Sequence, residues 1–383
     1  MYLCTRKWHN CQLNIKKMNE IGYQIGVWFD QNRRELPWRH TKDAYRIWLS
    51  EIILQQTRVA QGLDYYERFV AAYPRVDDLA AAPLDQVLKL WQGLGYYSRA
   101  RNLHAAAQQV MAWRKEHGGK DFPDTFADLI GLKGVGRYTA AAIASFASEE
   151  RVAVVDGNVY RVLARLYNID TPIDTTQGKK LFQGLTDELL EQTVGEGKGK
   201  ESPGRHNQAM MELGALLCTP TQPKCATCPV RSHCLALAAG TVGERPVKQG
   251  RTHVRERHFT YIIYIYKDKL WVHQRGAGDI WQGLWEFVLN EDGDVPAAVK
   301  DHATLVLERK HQLTHQTIYA TFYAVRLPDD KDPKTNAAIG TLPDDYRPIG
   351  WMEWQQLAVP RLIDEANKRL SAWFGSDCLR DVR

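Results

Sequence analysis

The sequence predicts a multidomain protein in which an all-α domain is followed by a strand-rich α+β domain. The chain has 383 residues, whereas a single hydrophobic core seldom grows past roughly 250 residues. From Glu20 to about Ala239, apolar residues recur at helical spacing between Gly, Pro and Asp turns. From His258 onwards they follow patterns typical of strands. We therefore expect a domain boundary near residue 250.

The predicted helical domain covers residues 20–240. Its amphipathic segments include Asp43–Val59, Leu84–Leu90, Ala100–Lys115 and Gly178–Glu191. Residues 241–257 combine Gly, Pro, Lys, Arg and Gln without apolar periodicity, which is typical of a linker. Residues 1–19 are basic and contain no acidic residue, so we predict a disordered extension with no assigned role for Cys4 or Cys11.

The predicted strand-rich domain covers residues 258–370 and is followed by a tail, 371–383, that contains Cys378. Three segments have the β-branched and aromatic content of strands: His258–Tyr266, Leu270–Gln274 and Gln316–Leu327. Turn residues 267–269 join the first two, which predicts a hairpin.

The composition excludes two classes of protein. No apolar run is long enough to cross a bilayer and the N-terminus lacks the order of a signal peptide, so we expect a cytoplasmic protein without membrane contact.

Residues 1–250 carry 32 Lys and Arg against 26 Asp and Glu, and residues 251–383 carry 18 against 19. This asymmetry favours a polyanionic partner for the first part, although a solvated surface explains so mild an excess nearly as well.

Four of the seven cysteines are close together in the sequence, with the spacing Cys218-x6-Cys225-x2-Cys228-x5-Cys234. Four thiolates in so short a segment favour a [4Fe–4S] cluster. Zinc is the second interpretation, because a structural zinc site usually contains two CxxC-like pairs and only Cys225 and Cys228 form one. Disulfides are disfavoured in a chain without an export signal.

Gly134 and Gly136 separate a predicted helix from the apolar helix that begins near Arg137. Glycine permits positive φ and close approach of the backbone, and free N–H groups at a helix start attract anions such as a DNA phosphate. An ordinary loop is the alternative interpretation. About twenty residues further along, Asp156 precedes Gly and Asn158, a pattern that by itself is most typical of a helix cap.

Glu51 lies in the segment Trp48–Thr57, which is apolar nearly all round. Burial should raise the pKa of this carboxyl group and prepare it to donate a proton near neutral pH. The alternative is a surface glutamate, since Glu51, Gln55 and Arg58 form a polar strip.

Three features together resemble the helix-hairpin-helix DNA glycosylases that carry an iron–sulfur cluster, the group of endonuclease III and the adenine DNA glycosylases. They are the cysteine spacing, the glycine hairpin followed by Val154–Arg161, and the motif Ser50–Thr57. The resemblance covers about residues 20–370 and implies removal of a base from duplex DNA, the first step of base excision repair. An electron-transfer protein is the alternative from another class, and it leaves the helical domain unexplained.

The resemblance also implies roles for individual residues. Glu51 matches the acid that protonates adenine at N7, and Asp156, with Asn158 beside it, matches the carboxylate that faces C1′ of the sugar. Two carboxylates in different environments are the usual equipment for cleaving a glycosidic bond. The cluster would order a basic loop, with Lys224 and Arg231 placed against DNA phosphates.

Position 138 distinguishes two types of enzyme within this group. The endonuclease III type has a lysine there, because an amine is needed to form a Schiff base and cut the strand. This chain has Tyr138, which can hydrogen-bond Asp156 but cannot form an imine. The expected activity is therefore a monofunctional glycosylase, with a bifunctional glycosylase/lyase as the disfavoured alternative.

Further residues match family positions that contact DNA. An enzyme that acts on a paired base must extrude the base and fill the gap. The resemblance assigns wedging or contact with the opposite base to Gln56, Thr57, Leu94 and Tyr96, and the adenine pocket to Trp38 and Arg39. We expect a monomer that binds duplex DNA with 8-oxoguanine:A or G:A mispairs.

The segment Arg275–Phe287 resembles the Nudix-like domain with which adenine glycosylases recognise 8-oxoguanine. A Nudix hydrolase is the other alternative, but the sequence lacks the REx2EE pattern of its metal site. The family reads the oxidised base with a Phe-Ser-His turn, where this chain has Leu313-Thr314-His315. Hydroxyl and imidazole groups remain, whereas Leu313 replaces the aromatic ring of the family turn and Val288 stands where the family often has proline.

Overall fold

The computed structural model describes residues 15–195, 201–250, 254–328 and 342–374. They form two compact units: the described residues of Met1–Val59 and Gln108–Gly250, and those of Ala60–Ala107 and Arg251–Arg383. Residues 60–107 therefore pack with the C-terminal residues, whereas the sequence predicts them within the N-terminal domain. Most of the predicted extension and tail, with Cys4, Cys11 and Cys378, lies outside the described residues.

The described residues form fifteen α-helices: α1 (Ile15–Asn32), α2 (Ala44–Leu54), α3 (Val59–Ala72), α4 (Val76–Ala81), α5 (Leu84–Trp91), α6 (Ser98–Glu116), α7 (Phe126–Leu129), α8 (Arg137–Ser148), α9 (Gly157–Leu166), α10 (Thr176–Thr193), α11 (Pro203–Leu216), α12 (Leu235–Ala238), α13 (Ala297–Lys300), α14 (Trp351–Gln356) and α15 (Arg361–Phe374). The same residues contain four 3₁₀ helices: Pro37–Arg39, Cys225–Thr227, Arg231–His233 and Val242–Glu244. None of the helices in the described ranges is both long and apolar enough to span a membrane.

In the described part of the chain, seven strands form one sheet: β1 (Arg255–Tyr266), β2 (Lys269–Gln274), β3 (Trp285–Glu286), β4 (Val288–Glu291), β5 (Thr304–Gln312), β6 (Gln316–Arg326) and β7 (Arg347–Gly350). The predicted order, helices first and strands second, is confirmed. The three predicted strands correspond to β1, β2 and β6, with ends that differ by no more than three residues.

The first unit has a helical core formed by α1, α9, α10 and α11. Ile25, Leu163, Phe182 and Leu213 are almost fully buried in this core, and burial of each such side chain contributes roughly 1.5–3 kcal/mol. In the same unit α2 packs against α8, and α11 packs against both α8 and α9. This packing brings residues of α2, α8 and α9 together.

Helix α2 is shorter than the predicted segment Asp43–Val59. Asp43 caps it, since its carboxylate accepts hydrogen bonds from the N–H groups of Tyr45 and Arg46. The helix ends at Leu54, and Gln56 adopts a left-handed backbone conformation with φ of 56°. The positive φ turns the chain, so that α3 begins separately at Val59.

Strand β1 is central in the sheet of the second unit. It pairs in parallel with β6 and antiparallel with β2 and β4, and β5 pairs with β6 at the edge. The turn between β1 and β2 contains Lys267 and Asp268, both with positive φ, which matches the twist of a two-residue hairpin. One face of the sheet is covered by α14 and α15 through buried side chains such as Trp354 and Leu362.

Part of the predicted linker is fixed to the first unit. The carbonyl oxygen of Val247 accepts a hydrogen bond from the N–H of Ile173. The carboxylate of Asp174 accepts hydrogen bonds from the N–H groups of Gln249 and Gly250. The low hydrophobicity that suggests a linker therefore reflects a segment held by its backbone rather than by apolar packing.

Candidate active site

Three predicted side chains meet where α2, α8 and α9 approach one another. Glu51 lies in α2 and is 7% exposed, Tyr138 is in the first turn of α8, and Asp156 directly precedes α9. The hydroxyl of Tyr138 donates a hydrogen bond to Oε2 of Glu51 at 2.6 Å. The partner of the Tyr138 hydroxyl is thus Glu51 rather than Asp156, because the packing of α2 against α8 brings Glu51 to the tyrosine. Burial, and then the charges of Glu51 and Asp156, raise the pKa of Tyr138.

The environment of Glu51 matches the prediction. Burial raises its pKa to about 7, and the nearby charge of Asp156 acts in the same direction. The hydrogen bond from Tyr138 and the charge of Arg39 lower the pKa, but by less than burial raises it. A substantial fraction of Glu51 is consequently protonated at neutral pH, as a general acid requires.

Asp156 caps helix α9, as its sequence pattern suggests. Its Oδ1 accepts hydrogen bonds from the N–H groups of Asn158 at 2.8 Å and Val159 at 2.7 Å, and its Oδ2 accepts one from the side-chain amide of Asn158 at 2.5 Å. Burial raises the pKa of Asp156, while these bonds and the charge of Arg161 oppose that effect. The cap and a catalytic role are compatible, because the cap fixes the carboxylate beside Tyr138.

Gly214 of α11 is a residue that sequence reasoning missed. A Cβ atom at Gly214 would lie 2.6 Å from Cβ and 2.8 Å from the carbonyl oxygen of Asn158. Glycine is therefore required for the close approach of α11 to the start of α9. Among many glycines in the sequence, nothing marks this one, because the contact joins residues far apart in the chain.

Glu212 is the second residue that sequence reasoning missed. It is 1% exposed, and although burial acts in the opposite direction, hydrogen bonds from Arg39 and Arg34 lower its pKa to about 2. Arg39 contacts both oxygens of Glu212 at 2.9 and 2.8 Å, and its guanidinium group lies over the ring of Phe29. An acid in the apolar segment Met210–Leu217 is the same signal that identifies Glu51, so the sequence could have revealed it.

Arg39 and Trp38 lie in the 3₁₀ helix Pro37–Arg39, and each is partly buried. The guanidinium group of Arg39 is held by Glu212, so its first role is structural. Its charge nevertheless acts on Glu51, which places Arg39 near the predicted acid. Trp38 is predicted to line the adenine pocket, and its partial exposure leaves the indole accessible.

The glycine hairpin differs in detail from the expectation. Gly134 has a φ of 76°, whereas Gly136 has a φ of −92° and directly precedes α8. Only Gly134 therefore needs the conformational freedom of glycine. A Cβ at Gly136 would meet nothing within 4 Å, and both Gly136 and Arg137 are exposed, so the start of α8 is accessible from solvent.

A cleft of about 380 Å³ lies next to the hairpin and has a basic, partly apolar lining. Its lining includes Tyr138, Tyr160 and the basic side chains of Arg137, Lys179 and Lys180. Sequence reasoning did not identify the two lysines of α10, because only the tertiary structure brings them beside α8. Such a lining suits a ligand that has a negatively charged backbone next to a flat ring.

The residues predicted to open the duplex differ in accessibility. Gln56 is exposed and Thr57 is partly exposed in the first unit. In the second unit Tyr96 is 45% exposed, but Leu94 is only 7% exposed. Leu94 is therefore part of the core in this structure and does not project as a wedge.

The predicted reading turn lies between β5 and β6 in the second unit, and both Thr314 and His315 are exposed. The hydroxyl groups of Tyr96 and Thr314 are in hydrogen-bond contact. The carbonyl oxygen of His315 accepts a hydrogen bond from the N–H of Arg255 at 3.0 Å. Leu313 packs against the apolar core of the sheet, so it anchors the turn.

The four cysteines line one cavity in the first unit. This arrangement fits a cluster of several atoms with one thiolate from each cysteine. Burial raises the pKa of Cys218 and Cys234, and that of Cys228 to about 11, so the thiolate forms need a cationic partner. In the described part of the chain, no three His, Cys, Asp or Glu side chains are grouped around a single-ion site.

Arg165 fixes the cysteine segment and was also missed by sequence reasoning. It is 3% exposed, and one guanidinium nitrogen lies 3.4 Å from Sγ of Cys218 and 2.7 Å from the carbonyl oxygen of Thr219. Other nitrogens donate to the carbonyl oxygens of Pro220, Val242 and Arg245. Its buried charge thus favours the thiolate of Cys218, and its hydrogen bonds join the start of the cysteine segment to the backbone that follows the segment.

Comparison with known proteins identifies the family of this chain. Residues 49–187 match the family model of HhH-GPD superfamily base excision DNA repair proteins, and residues 260–368 match that of the NUDIX domain. The adenine DNA glycosylase of Buchnera aphidicola subsp. Baizongia pistaciae is 32% identical over 309 residues, which cover 78% of this chain and 84% of that protein. The adenine DNA glycosylase of Mus musculus is 42% identical over 238 residues, which cover 60% of this chain and 44% of the mouse protein.

A solved structure of another DNA glycosylase is similar over more than half of the chain. The structure of a thermostable thymine-DNA glycosylase aligns with a TM-score of 0.51 at 28% identity and covers 58% of this chain and 98% of that chain. The alignment with the Buchnera relative extends over most of both chains, and the two family models match the helical and the strand-rich parts. This chain therefore belongs to the adenine DNA glycosylase family.

Proposed function

We propose that this protein hydrolyses the N-glycosidic bond of adenine paired with 8-oxoguanine or guanine, with Glu51 as general acid and Asp156 as the stabilising carboxylate. The observation that carries this proposal is the cluster of Glu51, Tyr138 and Asp156, in which the pKa of Glu51 is raised to about 7. A neutral acid and a second carboxylate in a different environment are suited to an oxocarbenium-like transition state.

The geometry suggests which oxygen of Glu51 carries the proton. Its Oε2 accepts a hydrogen bond from Tyr138, so the acidic proton belongs on Oε1. Glu51 donates this proton to N7 of adenine, and the electron pair of the C1′–N9 bond leaves with the base. Asp156, fixed by the start of α9, stabilises the positive sugar. Water then adds its hydroxyl group to C1′ and returns a proton to the carboxylate pair.

Tyr138 supports a reaction that stops after base removal. A phenol cannot form an imine with C1′, and the Tyr138 hydroxyl is occupied by Glu51. We expect abasic product without strand breaks until alkali is added. Strand cleavage that keeps pace with adenine release would contradict this assignment and support the lyase alternative.

The second unit supports recognition of the base opposite adenine. Thr314 and His315 lie in an exposed turn, and Tyr96 contacts Thr314. Their hydroxyl and imidazole groups can hydrogen-bond an oxidised purine. Because residues 60–107 belong to the same compact unit as the sheet, deletion of residues 251–383 would expose helix surfaces. Thr314→Ala combined with His315→Ala is therefore the cleaner test, and equal rates on 8-oxoguanine:A and G:A in the unaltered protein would refute the preference.

The cavity lined by Cys218, Cys225, Cys228 and Cys234 supports a resident [4Fe–4S] cluster. When bound, it would supply a rigid centre for the basic segment with Lys224 and Arg231 rather than chemistry at the base. Both basic side chains are exposed. Metal analysis of anaerobically purified protein should find about four iron atoms per chain, and stoichiometric zinc without iron would refute the cluster.

The roles of the carboxylates are tested by Glu51→Gln and Asp156→Asn. Each variant should lose adenine release in single turnover by at least about a hundredfold, the usual contribution of acid–base catalysis, while binding of duplex DNA persists. Glu188→Gln is a matched control, because Glu188 is exposed on α10 in the same unit. Near-normal release by either active-site variant would refute its assignment.

A further inference from the structure

The loop of residues 92–97, here called the wedge loop, joins α5 to α6 and carries Tyr96. Gly93, Gly95 and Tyr96 have φ values of 101°, 74° and 48°. A positive φ is unfavourable for a bulky side chain such as tyrosine, so contacts must hold Tyr96 in this conformation. Tyr96 contacts Thr314 through its hydroxyl group.

Both ends of the wedge loop are bound to one residue of the C-terminal part. The N–H of Val359 donates a hydrogen bond to Oε1 of Gln92 at 3.2 Å, and the carbonyl oxygen of Val359 accepts one from the Tyr97 hydroxyl at 3.4 Å. The side-chain amide of Gln92 also donates to Oδ1 of Asp364 at 3.2 Å. Gln92 and Tyr97, which lie on either side of Tyr96 in the sequence, therefore both bind the backbone between α14 and α15.

Lys89, one turn before the wedge loop, adds a third attachment. Its ammonium group donates to the carbonyl oxygens of Gln355 at 2.6 Å and Leu357 at 3.0 Å. These carbonyls lie at the C-terminal end of α14, where backbone acceptors lack partners within the helix. Lys89 is partly buried, and burial lowers its pKa, with the charge of Asp364 opposing. The Lys89 ammonium group therefore makes directional hydrogen bonds to two carbonyl oxygens and does not act simply as a solvated surface charge.

We propose that Lys89, Gln92 and Tyr97 are positioning residues for lesion recognition. They fix the wedge loop to the segment 355–359, so that Tyr96 and Thr314 reach the base opposite adenine as one rigid pair. The inference rests on the proposed reading of 8-oxoguanine by Thr314 and His315. Without the attachments, Tyr96 can still enter the duplex, but its position relative to Thr314 is no longer fixed.

The test compares single-turnover adenine release from 8-oxoguanine:A and G:A duplexes in the full-length protein. Lys89→Met and Tyr97→Phe should each lower the ratio of the two rates at least about fivefold, within the range for a lost buried hydrogen bond. Lys89→Arg retains donors for the two carbonyls and should keep the ratio. Lys300→Met is the matched control, since Lys300 is exposed at the end of α13 in the same unit.

The ratio is measured on one preparation of each variant, so partial loss of folded protein affects both rates equally. If the unaltered protein prefers 8-oxoguanine:A and both Lys89→Met and Tyr97→Phe keep that preference, the positioning role is wrong and the proposed function stands. A fall of similar size in Lys300→Met would also overturn it. If the unaltered protein shows no preference, the proposed lesion reading fails, and the positioning role fails with it.

Discussion

Replacement of Tyr138 by Phe tests how the active site sets the acidity of Glu51. The change removes the hydroxyl group that donates to Glu51 at 2.6 Å and keeps the ring. That hydrogen bond favours the charged form of Glu51 and lowers its pKa, against the larger effect of burial. Without the bond, the charged form loses a partner, so the pKa of Glu51 must rise above about 7.

The size of the rise follows from the strength of the lost bond. A hydrogen bond to a charged group contributes roughly 1.5–3 kcal/mol, and one pH unit corresponds to about 1.36 kcal/mol. The alkaline limb of the rate profile should therefore move upward by about one to two pH units. With the original pKa at about 7, the fraction of protonated Glu51 at pH 7 rises no more than about twofold.

The assay measures single-turnover adenine release from a G:A duplex. The pH is varied from about 5 to about 10, a range that should include both the acidic and the alkaline limb of the rate profile. Alkali is added after quenching to reveal abasic sites. Tyr160→Phe is the matched control, because Tyr160 lines the adjacent cleft but makes no hydrogen bond to Glu51 among the described residues. An alkaline midpoint that stays in place or moves to lower pH in Tyr138→Phe would refute the reasoning.

Three further predictions follow from contacts around the site. Glu212→Gln removes a negative charge and releases the paired arginines, which should lower the pKa of Glu51. The alkaline limb of the pH–rate profile should therefore move to lower pH, and an upward move would contradict this. Gly214→Ala should push the start of α9 out of place, since a Cβ would lie 2.6 Å from its neighbour, and should cost about 1–3 kcal/mol in urea unfolding. Unchanged stability and adenine release would be inconsistent with that contact. If Lys179 and Lys180 contact phosphates, Lys179→Gln and Lys180→Gln should each reduce the slope of log Kd against log salt by about 0.9, whereas Lys115→Gln, exposed on α6, should not.

Sequence patterns predict those parts of the molecule that depend on neighbours along the chain. The helical segment around Glu51, the cap at Asp156 and the turn between β1 and β2 are local features, and the structure contains each of them. The partner of Tyr138 could not be predicted in the same way. Whether its hydroxyl meets Glu51 or Asp156 depends on how closely α8 approaches α2, and no spacing in the sequence encodes that distance.

The grouping of residues 60–107 with the sheet is a second feature that local patterns cannot predict. Residues 60–107 have ordinary helical periodicity, which indicates one buried face but not what covers it. The polar groups that attach this segment to the C-terminal part, such as Lys89 and Gln92, are unremarkable in the sequence. Their significance comes from backbone carbonyl and N–H groups more than two hundred residues away.

Glu51 and Glu212 show why a buried acid in an apolar helix does not by itself indicate a proton donor. Both are nearly inaccessible, yet the pKa of Glu51 is raised to about 7 and that of Glu212 is lowered to about 2. The difference lies in the arginines, since Arg34 and Arg39 both bind Glu212. Because Glu212 holds Arg39, that guanidinium group does not form an ion pair with Glu51, which would make Glu51 a permanent carboxylate. The acidity of Glu51 thus depends on a second buried acid that takes the nearby cations, and the two glutamates act as one electrostatic unit.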